Sequence, residues 1–449
     1  MMASPGTPVR RRAWGVVAVL VALAAVSACT NSGAPAAWNT PAPPPPAKLI
    51  FSHEPDAADV SPGVPAEVRV EGGTLDTVTL TTNTGEVEGA FSNDKVIWTS
   101  TQDLQYGKSY TLTVQATGLD GVVVQDTRTF TTRTVQKGFY WNAYFIANDY
   151  GMALDGGTYG VGQPVIVRFD DTVDRAVAEK TLTVTTDPPV VGAWHWFNNR
   201  EVHWRPENYW QSGTKVTVTA KTLGVQLTSP DGRVLNGGAN KSATFTIGQS
   251  KIAKIDDKTH RMLVFIDGVQ VKDIPVSMGR PTKYTDTKGR VHDYRTTSGI
   301  FVVTEKHDPV KMVPDLPCPS GVPNTPGCDP GYYVEIIPNA VRITDYGEYV
   351  HAASWSVSDQ GVRNVSHGCI NISPANAAWF YDTFGAGDVV EIVNTGISVN
   401  LDPKKLGSER ALDDGIADWS MPWDQWKAGS ALPQTDPTPT VSASASAAA

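Results

Sequence analysis

KVIWTSTQDLQYGKSYTLTVQATG, residues 95–118, recurs in altered form as EVHWRPENYWQSGTKVTVTAKTLG, residues 201–224. The two copies superpose Trp98 on Trp204 and Gly107 on Gly213. Each leads to a closing run, Thr129-Phe130-Thr131 in the first and Thr244-Phe245-Thr246 in the second. Tyr110-Thr111-Leu112-Thr113-Val114 and Lys215-Val216-Thr217-Val218-Thr219-Ala220 alternate apolar and polar residues, the pattern of a strand with one buried face. Ala66-Glu67-Val68-Arg69-Val70 does the same upstream, and Gly, Asp and Asn break the runs at short intervals. Short alternating runs closed by turn residues predict antiparallel β-sandwiches between Leu49 and Gly248. The repeat predicts two of them, with a boundary near 133–137.

A chain of 449 residues is long enough for about three domains, and its apolar content lets each build a core. The predicted class is therefore mainly β, opening with two immunoglobulin-like sandwiches over 49–134 and 135–249. They lack an intersheet cysteine pair, so the likeness to antibodies is architectural only. Trp141, Trp194, Trp196 and Trp210 offer a glycan-stacking surface on one reading and core packing on the other, and packing is favoured. His195 and His203 read as structural side chains rather than ligands.

The formal charge is −9, which argues against a nucleic-acid partner. Arg10-Arg11-Arg12 precedes an apolar run from Ala13 to Ala28, shorter than the roughly 20 residues a spanning helix needs. Val26-Ser27-Ala28-Cys29 resembles a bacterial lipobox, which implies a signal peptide over 1–28, lipid on Cys29 and a place outside the cytoplasmic membrane. An ordinary cleaved signal or an uncleaved anchor is the alternative. Residues 29–48 read as a proline-rich stalk, with Pro43 to Pro46 favouring extended polyproline geometry. In that compartment disulfides persist, and Cys318 and Cys328, with nine residues between them in a Pro- and Gly-rich stretch, are expected to pair. Two free thiols or a metal clip are the alternatives.

The third region, 250–394, opens with Met262-Leu263-Val264-Phe265-Ile266-Asp267-Gly268-Val269-Gln270, a hairpin with Asp-Gly at its turn. Pro275 to Gly279 and Thr296 to Val303 are expected to add strands. Ser373-Pro374 reads as a helix cap followed by a first-turn proline, the helix running to about Phe384 and a final strand covering Asp388 to Val393.

Chemistry concentrates in Ser366-His367-Gly368-Cys369-Ile370-Asn371, with His351 upstream. A thiol, two imidazoles and a glycine-loosened backbone suit nucleophilic attack on a carbonyl, with Gly368 letting backbone N–H groups converge on an oxyanion. Cys369 should lie in the connection entering the helix. A free thiol of pKa about 8.5 is only a few per cent thiolate at pH 7. Lowering it to about 6 beside an imidazole would raise the reactive fraction about 30-fold, worth about 2 kcal/mol. Either imidazole is a candidate: His351 ends a strand-like run, with fourteen residues between it and Ser366, and His367 is two positions from Cys369. A zinc site from His351, His367 and Cys369, and a buried structural cysteine, are the competing readings.

HAASWSVSDQGVRNVSHGCIN, 351–371, resembles the SHGCxN signature of L,D-transpeptidases, the cysteine enzymes that cross-link peptidoglycan. PVSMG at 275–279 and TTSG at 296–299 resemble the VSxG and TPxG stretches of their YkuD-type catalytic domain, with Thr297 where proline usually stands. The tandem sandwiches resemble the mycobacterial lipoprotein members. Their Trp-rich C-terminal extension is matched by 395–430, which is expected to pack on the catalytic domain, and 431–449 should be a disordered tail.

The resemblance implies Cys369 as nucleophile, His351 as general base and acid, and the carbonyl of Ala352 as the histidine's partner. It implies an oxyanion hole from the amides of His367, Gly368 and Cys369 in the turn begun by Ser366. Substrate would meet Tyr333, Tyr346, Gly347, Asn364 and Asn371, with Trp355 walling the cleft and a lid beginning at Met312. No cofactor and no metal are implied. The implied partners are a tetrapeptide donor stem, a diaminopimelate acceptor, carbapenems as covalent inhibitors, and the membrane through Cys29. Water as acceptor, giving an L,D-carboxypeptidase, and a non-catalytic wall-binding lipoprotein remain the alternatives.

Overall fold

The computed structural model describes residues 44–408 and 410–433. The signal segment, Cys29, most of the stalk and most of the tail lie outside the described residues. Strand Lys48–Phe51 begins one residue inside the expected stalk.

The first sandwich sets Lys48–Phe51, Glu67–Glu71, Ile97–Ser100 and Gly89–Phe91 against a five-stranded sheet centred on Ser109–Gly118. Tyr110, Leu112, Val114 and Ala116 of that strand all point into one core with Trp98 and Phe130. The second sandwich repeats the plan, with Trp204 in its core and Lys215–Ala220 as the matching strand. The closing phenylalanines take equivalent places: Phe130 pairs with Tyr110, and Phe245 with Val216. Gly107 and Gly213 both adopt positive φ, 64° and 85°, so the repeat conserves a turn that glycine enters without a Cβ clash. Trp141, Trp194, Trp196 and Trp210 are buried, so they pack the core and form no glycan platform.

Among the described residues the catalytic region has two main sheets and two two-stranded hairpins, Lys283–Thr285 with Val291–Asp293 and Val310–Met312 with Glu335–Ile337. Val269–Pro275, Arg261–Ile266, Lys251–Asp256, Val389–Val393 and Gly299–Val302 form the first main sheet, with the middle pair parallel. The Asp267-Gly268 turn has φ of 49° and 79°, the two positive values a type I′ hairpin needs. Glu305–His307, Ala340–Arg342, Tyr349–Ala352 and Ile370–Ile372 form the second sheet. Val264, Ile255, Val341, Val350, Ile370 and Phe380 meet in a shared core. Helix Pro374–Thr383 is capped by Ser373, whose Oγ accepts from Asn376 N at 3.4 Å. The expected strand at 275–279 is not continuous: the chain leaves its sheet at Pro275, and Ser277 and Gly279 make single bridges to Asn371 and Ser366.

The C-terminal extension wedges between the second sandwich and the catalytic region rather than covering the latter alone. Trp426 is fully buried; its Nε1 donates to Ala193 O at 2.9 Å and its own carbonyl lies 3.0 Å from His195 Nδ1. The Arg205 guanidinium stacks over Trp419 and Trp426 at 4.7 and 4.5 Å and donates to Met421 O at 2.7 Å. Trp419 Nε1 donates to Gly162 O at 2.8 Å. The ordered extension reaches past 430, since Ala431 N donates to Glu179 Oε2 at 2.8 Å.

Candidate active site

The site forms where the second sheet ends. Tyr349–Ala352 and Ile370–Ile372 lie side by side and parallel, with His351 in register with Asn371. Adjacent strands are about 4.8 Å apart, so this pairing carries Cys369, the residue before Ile370, to the Tyr349 end of the His351 strand. Cys369 lies in the connection leading into the helix, which also holds the short strand Ile370–Ile372. Fourteen intervening residues hold the 3₁₀ turn Ser354–Ser356, which places Trp355 with its ring centroid 6.1 Å from that of His351. Trp355 is 56% exposed and walls the cleft over the imidazole.

His351 is buried, and its Nδ1 donates to Ala352 O at 2.9 Å, the contact the resemblance implies. That bond assigns the proton to Nδ1 and leaves Nε2 with a lone pair. Burial holds the imidazole down to about 4, so it is neutral at physiological pH. The Cys369 Sγ donates to Gly347 O at 3.4 Å. The thiol shifts in the direction opposite to the lowering that an adjacent imidazole would give. Burial first, then the nearby Glu348 and Glu335 carboxylates, push the thiol up to about 12, against a backbone hydrogen bond from Tyr349. Both shifts favour a neutral thiol and a neutral imidazole over a thiolate–imidazolium pair.

Ser366 clamps the nucleophile turn. Its Oγ donates to Cys369 O at 2.7 Å and accepts from Gly368 N at 3.1 Å. The Gly368 amide is thus already paired, which narrows the expected oxyanion donors to His367 and Cys369. Gly368 has φ 140°, a backbone that a side-chain-bearing residue rarely adopts, so the glycine serves the turn's shape. Thr296 Oγ1 fixes the same turn by donating to Gly368 O at 2.7 Å.

That turn sends His367 away from Cys369. Its Nε2 accepts from Arg280 Nη2 at 2.9 Å, and its ring packs against Tyr294 and Tyr333 at 4.6 and 5.2 Å. Burial and the Arg280 charge hold His367 down to about 4. Since its lone pair is taken, the ring is a wall, and the three groups of the zinc reading do not converge. Among the described residues no cluster of three His, Cys, Asp or Glu is placed to hold a metal ion.

The expected substrate contacts divide. Gly347 meets the Cys369 Sγ through its carbonyl, Tyr333 lies near the same sulfur and Trp355 near His351, whereas Tyr346 is 58% exposed and its N and Oη bond Asp414 and Gly407 O. Asn364 is engaged elsewhere: its Oδ1 accepts from Met278 N at 2.9 Å and its Nδ2 donates to Asp257. Asn371 is buried and donates to Ser356 Oγ at 3.0 Å, bracing the turn that carries Trp355. The Asn371 Oδ1 is buried without a hydrogen-bond partner among the described residues. The lid is a hairpin of Val310–Met312 and Glu335–Ile337, and Cys318 and Cys328 are bonded within its loop. Asp329, buried at its base, accepts from Tyr284 Oη and from Thr287 N at 2.8 Å. Nothing in the sequence pattern marks Arg280 as the partner of His367. Thr296 and Glu348 were detectable only as polar residues beside apolar runs.

Two family models and several known proteins are similar to this chain. The bacterial Ig domain family matches residues 57–226, and the L,D-transpeptidase catalytic domain family, YkuD, matches 250–392. L,D-transpeptidase 2 of Mycobacterium tuberculosis is 38% identical over 386 residues, covering 86% of this chain and 85% of the relative. L,D-transpeptidase 5 of the same species is 36% identical over 401 residues, covering 87% and 78%. A solved structure of L,D-transpeptidase 3 from that species, with a faropenem-derived adduct, is 28% identical with a TM-score of 0.42, covering 58% of this chain and 100% of that one. The chain belongs to the L,D-transpeptidase family and is a peptidoglycan transpeptidase.

Proposed function

We propose that this enzyme forms 3→3 peptidoglycan cross-links through a thioester on Cys369. The observation that carries the reading is the His351 imidazole: Nδ1 is held by Ala352 O, and Nε2 is left as a neutral base on the strand beside the nucleophile. In the first step the Cys369 sulfur bonds to the carbonyl carbon of the third residue of a tetrapeptide stem, and its proton passes to His351 Nε2. The amide C–N bond then breaks, and the proton leaves on the amine of D-alanine. The His367 and Cys369 amides supply the oxyanion donors, each worth about 3–4 kcal/mol in such sites. In the second step the side-chain amine of a diaminopimelate acceptor attacks the thioester, its proton returns through His351 to the sulfur, and the C–S bond breaks.

With a neutral resting pair, proton transfer accompanies attack and no thiolate need accumulate. The strained carbonyl of a carbapenem is an electrophile for the same sulfur. Lipidation of Cys29 would hold the enzyme on the outer face of the cytoplasmic membrane, with Pro43 to Pro46 as a spacer. Intact-mass measurement after carbapenem exposure tests the nucleophile: one adduct is expected, absent in Cys369→Ala. An adduct that persists in that variant would overturn the assignment.

A further inference from the structure

Glu348 immediately precedes the His351 strand, its carboxyl is buried, and the steps above do not use it. Its Oε1 accepts from both Thr297 N and Thr297 Oγ1, each at 3.0 Å. Its Oε2 is buried with no hydrogen-bond partner among the described residues. The carboxyl lies against the nucleophile turn: a Cβ built on Gly368 would sit 3.7 Å from Glu348 Cγ and Oε1. Arg410 reaches this spot from the C-terminal extension, its Nε donating to Thr297 Oγ1 at 3.0 Å.

Thr297 offers this carboxyl two donors, a backbone N–H and a hydroxyl. Proline has neither an amide N–H nor a hydroxyl, so it can supply neither donor to a carboxyl at 348. Threonine and glutamate are therefore a matched pair, and the pair puts an ionisable group beneath the nucleophile. We propose that Glu348 is a positioning residue of the transfer reaction: held by Thr297 under Gly368, its charge governs how readily the Cys369 sulfur and the adjoining oxyanion carry negative charge.

The proposal rests on Cys369 being the nucleophile. Burial first raises the Glu348 carboxyl to about 7; Arg410 opposes this and Asp414, also on the extension, adds to it. From the turn it faces Cys369, and Glu335 on the lid acts on the same thiol. Below pH 7 the carboxyl is neutral. Above it, like charge opposes both the departing thiol proton and the oxyanion. His351, held near 4, does not titrate in this range.

The test is the rate of carbapenem adduct formation, followed by intact mass from pH 5.5 to 9, on the wild type and Glu348→Gln. Glutamine keeps a carbonyl for the Thr297 donors and cannot ionise. The wild-type rate should fall about tenfold on crossing pH 7, as expected for a like charge a few ångströms away at intermediate dielectric. The glutamine variant should stay flat within about twofold. Coincident profiles would overturn the proposal. So would a wild-type rate that is level or rising from pH 6 to 8.5, which decides the matter even if the variant does not fold. A wild type that forms no adduct at any pH would overturn the nucleophile assignment and this proposal with it.

Discussion

Two buried histidines, His203 at the junction of sandwich and extension and His351 in the active site, carry the same side chain into opposite states. His203 lies between two carboxylates, with Nδ1 2.9 Å from Asp418 Oδ2 and Nε2 3.2 Å from Glu201 Oε1. Burial opposes its charge, but Asp418 and then Glu201 hold it up to about 10. The partner of His351 is a carbonyl, the aromatic ring of Trp355 lies over it, and burial alone sets its direction. Counter-charge, not burial, decides which histidine is a cation. A cationic imidazole donates from both nitrogens and can only staple. A neutral one keeps a lone pair and can act as a base.

The largest effect expected from this contrast is kinetic. His351→Ala should lower the rate of carbapenem acylation by about 10²–10⁴-fold, the range for removing a general base, with the unfolding midpoint near that of the wild type. Stopped-flow or timed mass measurement checks it, and an equal kinetic loss in a folded His203→Ala protein would break the comparison.

The next effect is on stability. His203→Ala leaves Asp418 and Glu201 buried without their shared cation and should cost about 3–5 kcal/mol in denaturant unfolding. The two residues also differ in sign with pH. Because the folded His203 pKa is raised, its contribution is complete below the unfolded value of about 6.5 and is lost as pH rises through about 10. For His351 the folded pKa is depressed, so the unfolded chain binds the extra proton and stability falls as pH drops from about 6.5 toward 4. Unfolding curves for wild type and His203→Ala should therefore converge above pH 10; a constant gap would mean that His203 is not charged. The smallest effect belongs to the lid, where Cys318→Ser should cost at most about 2–3 kcal/mol, the scale for a loop of this length. Thermal scans with and without reductant check that value.

Local signals in the chain were legible and long-range ones were not. The repeat around Trp98 and Trp204, the Asp267-Gly268 turn and the Ser373 cap each write their structure within a few residues. His351 and the Ser366–Asn371 turn were recognisable by spacing, and His351 rather than His367 was the favoured base. The state of the Cys369 thiol was not readable, because it depends on burial and on Glu348 and Glu335 brought in from other segments. Asn364 and Asn371 were expected at the substrate, yet their amides face Asp257 and Ser356, partners that only the folded register supplies. The Arg205 stack on Trp419 and Trp426 joins elements more than two hundred residues apart, beyond any window of sequence pattern.

Product analysis with a disaccharide-tetrapeptide substrate tests the central claim most directly. Wild-type enzyme should release D-alanine and accumulate a dimer joined by a 3→3 bond, and Cys369→Ala should give neither. Accumulation of the tripeptide without dimer would contradict transfer and make water the acceptor.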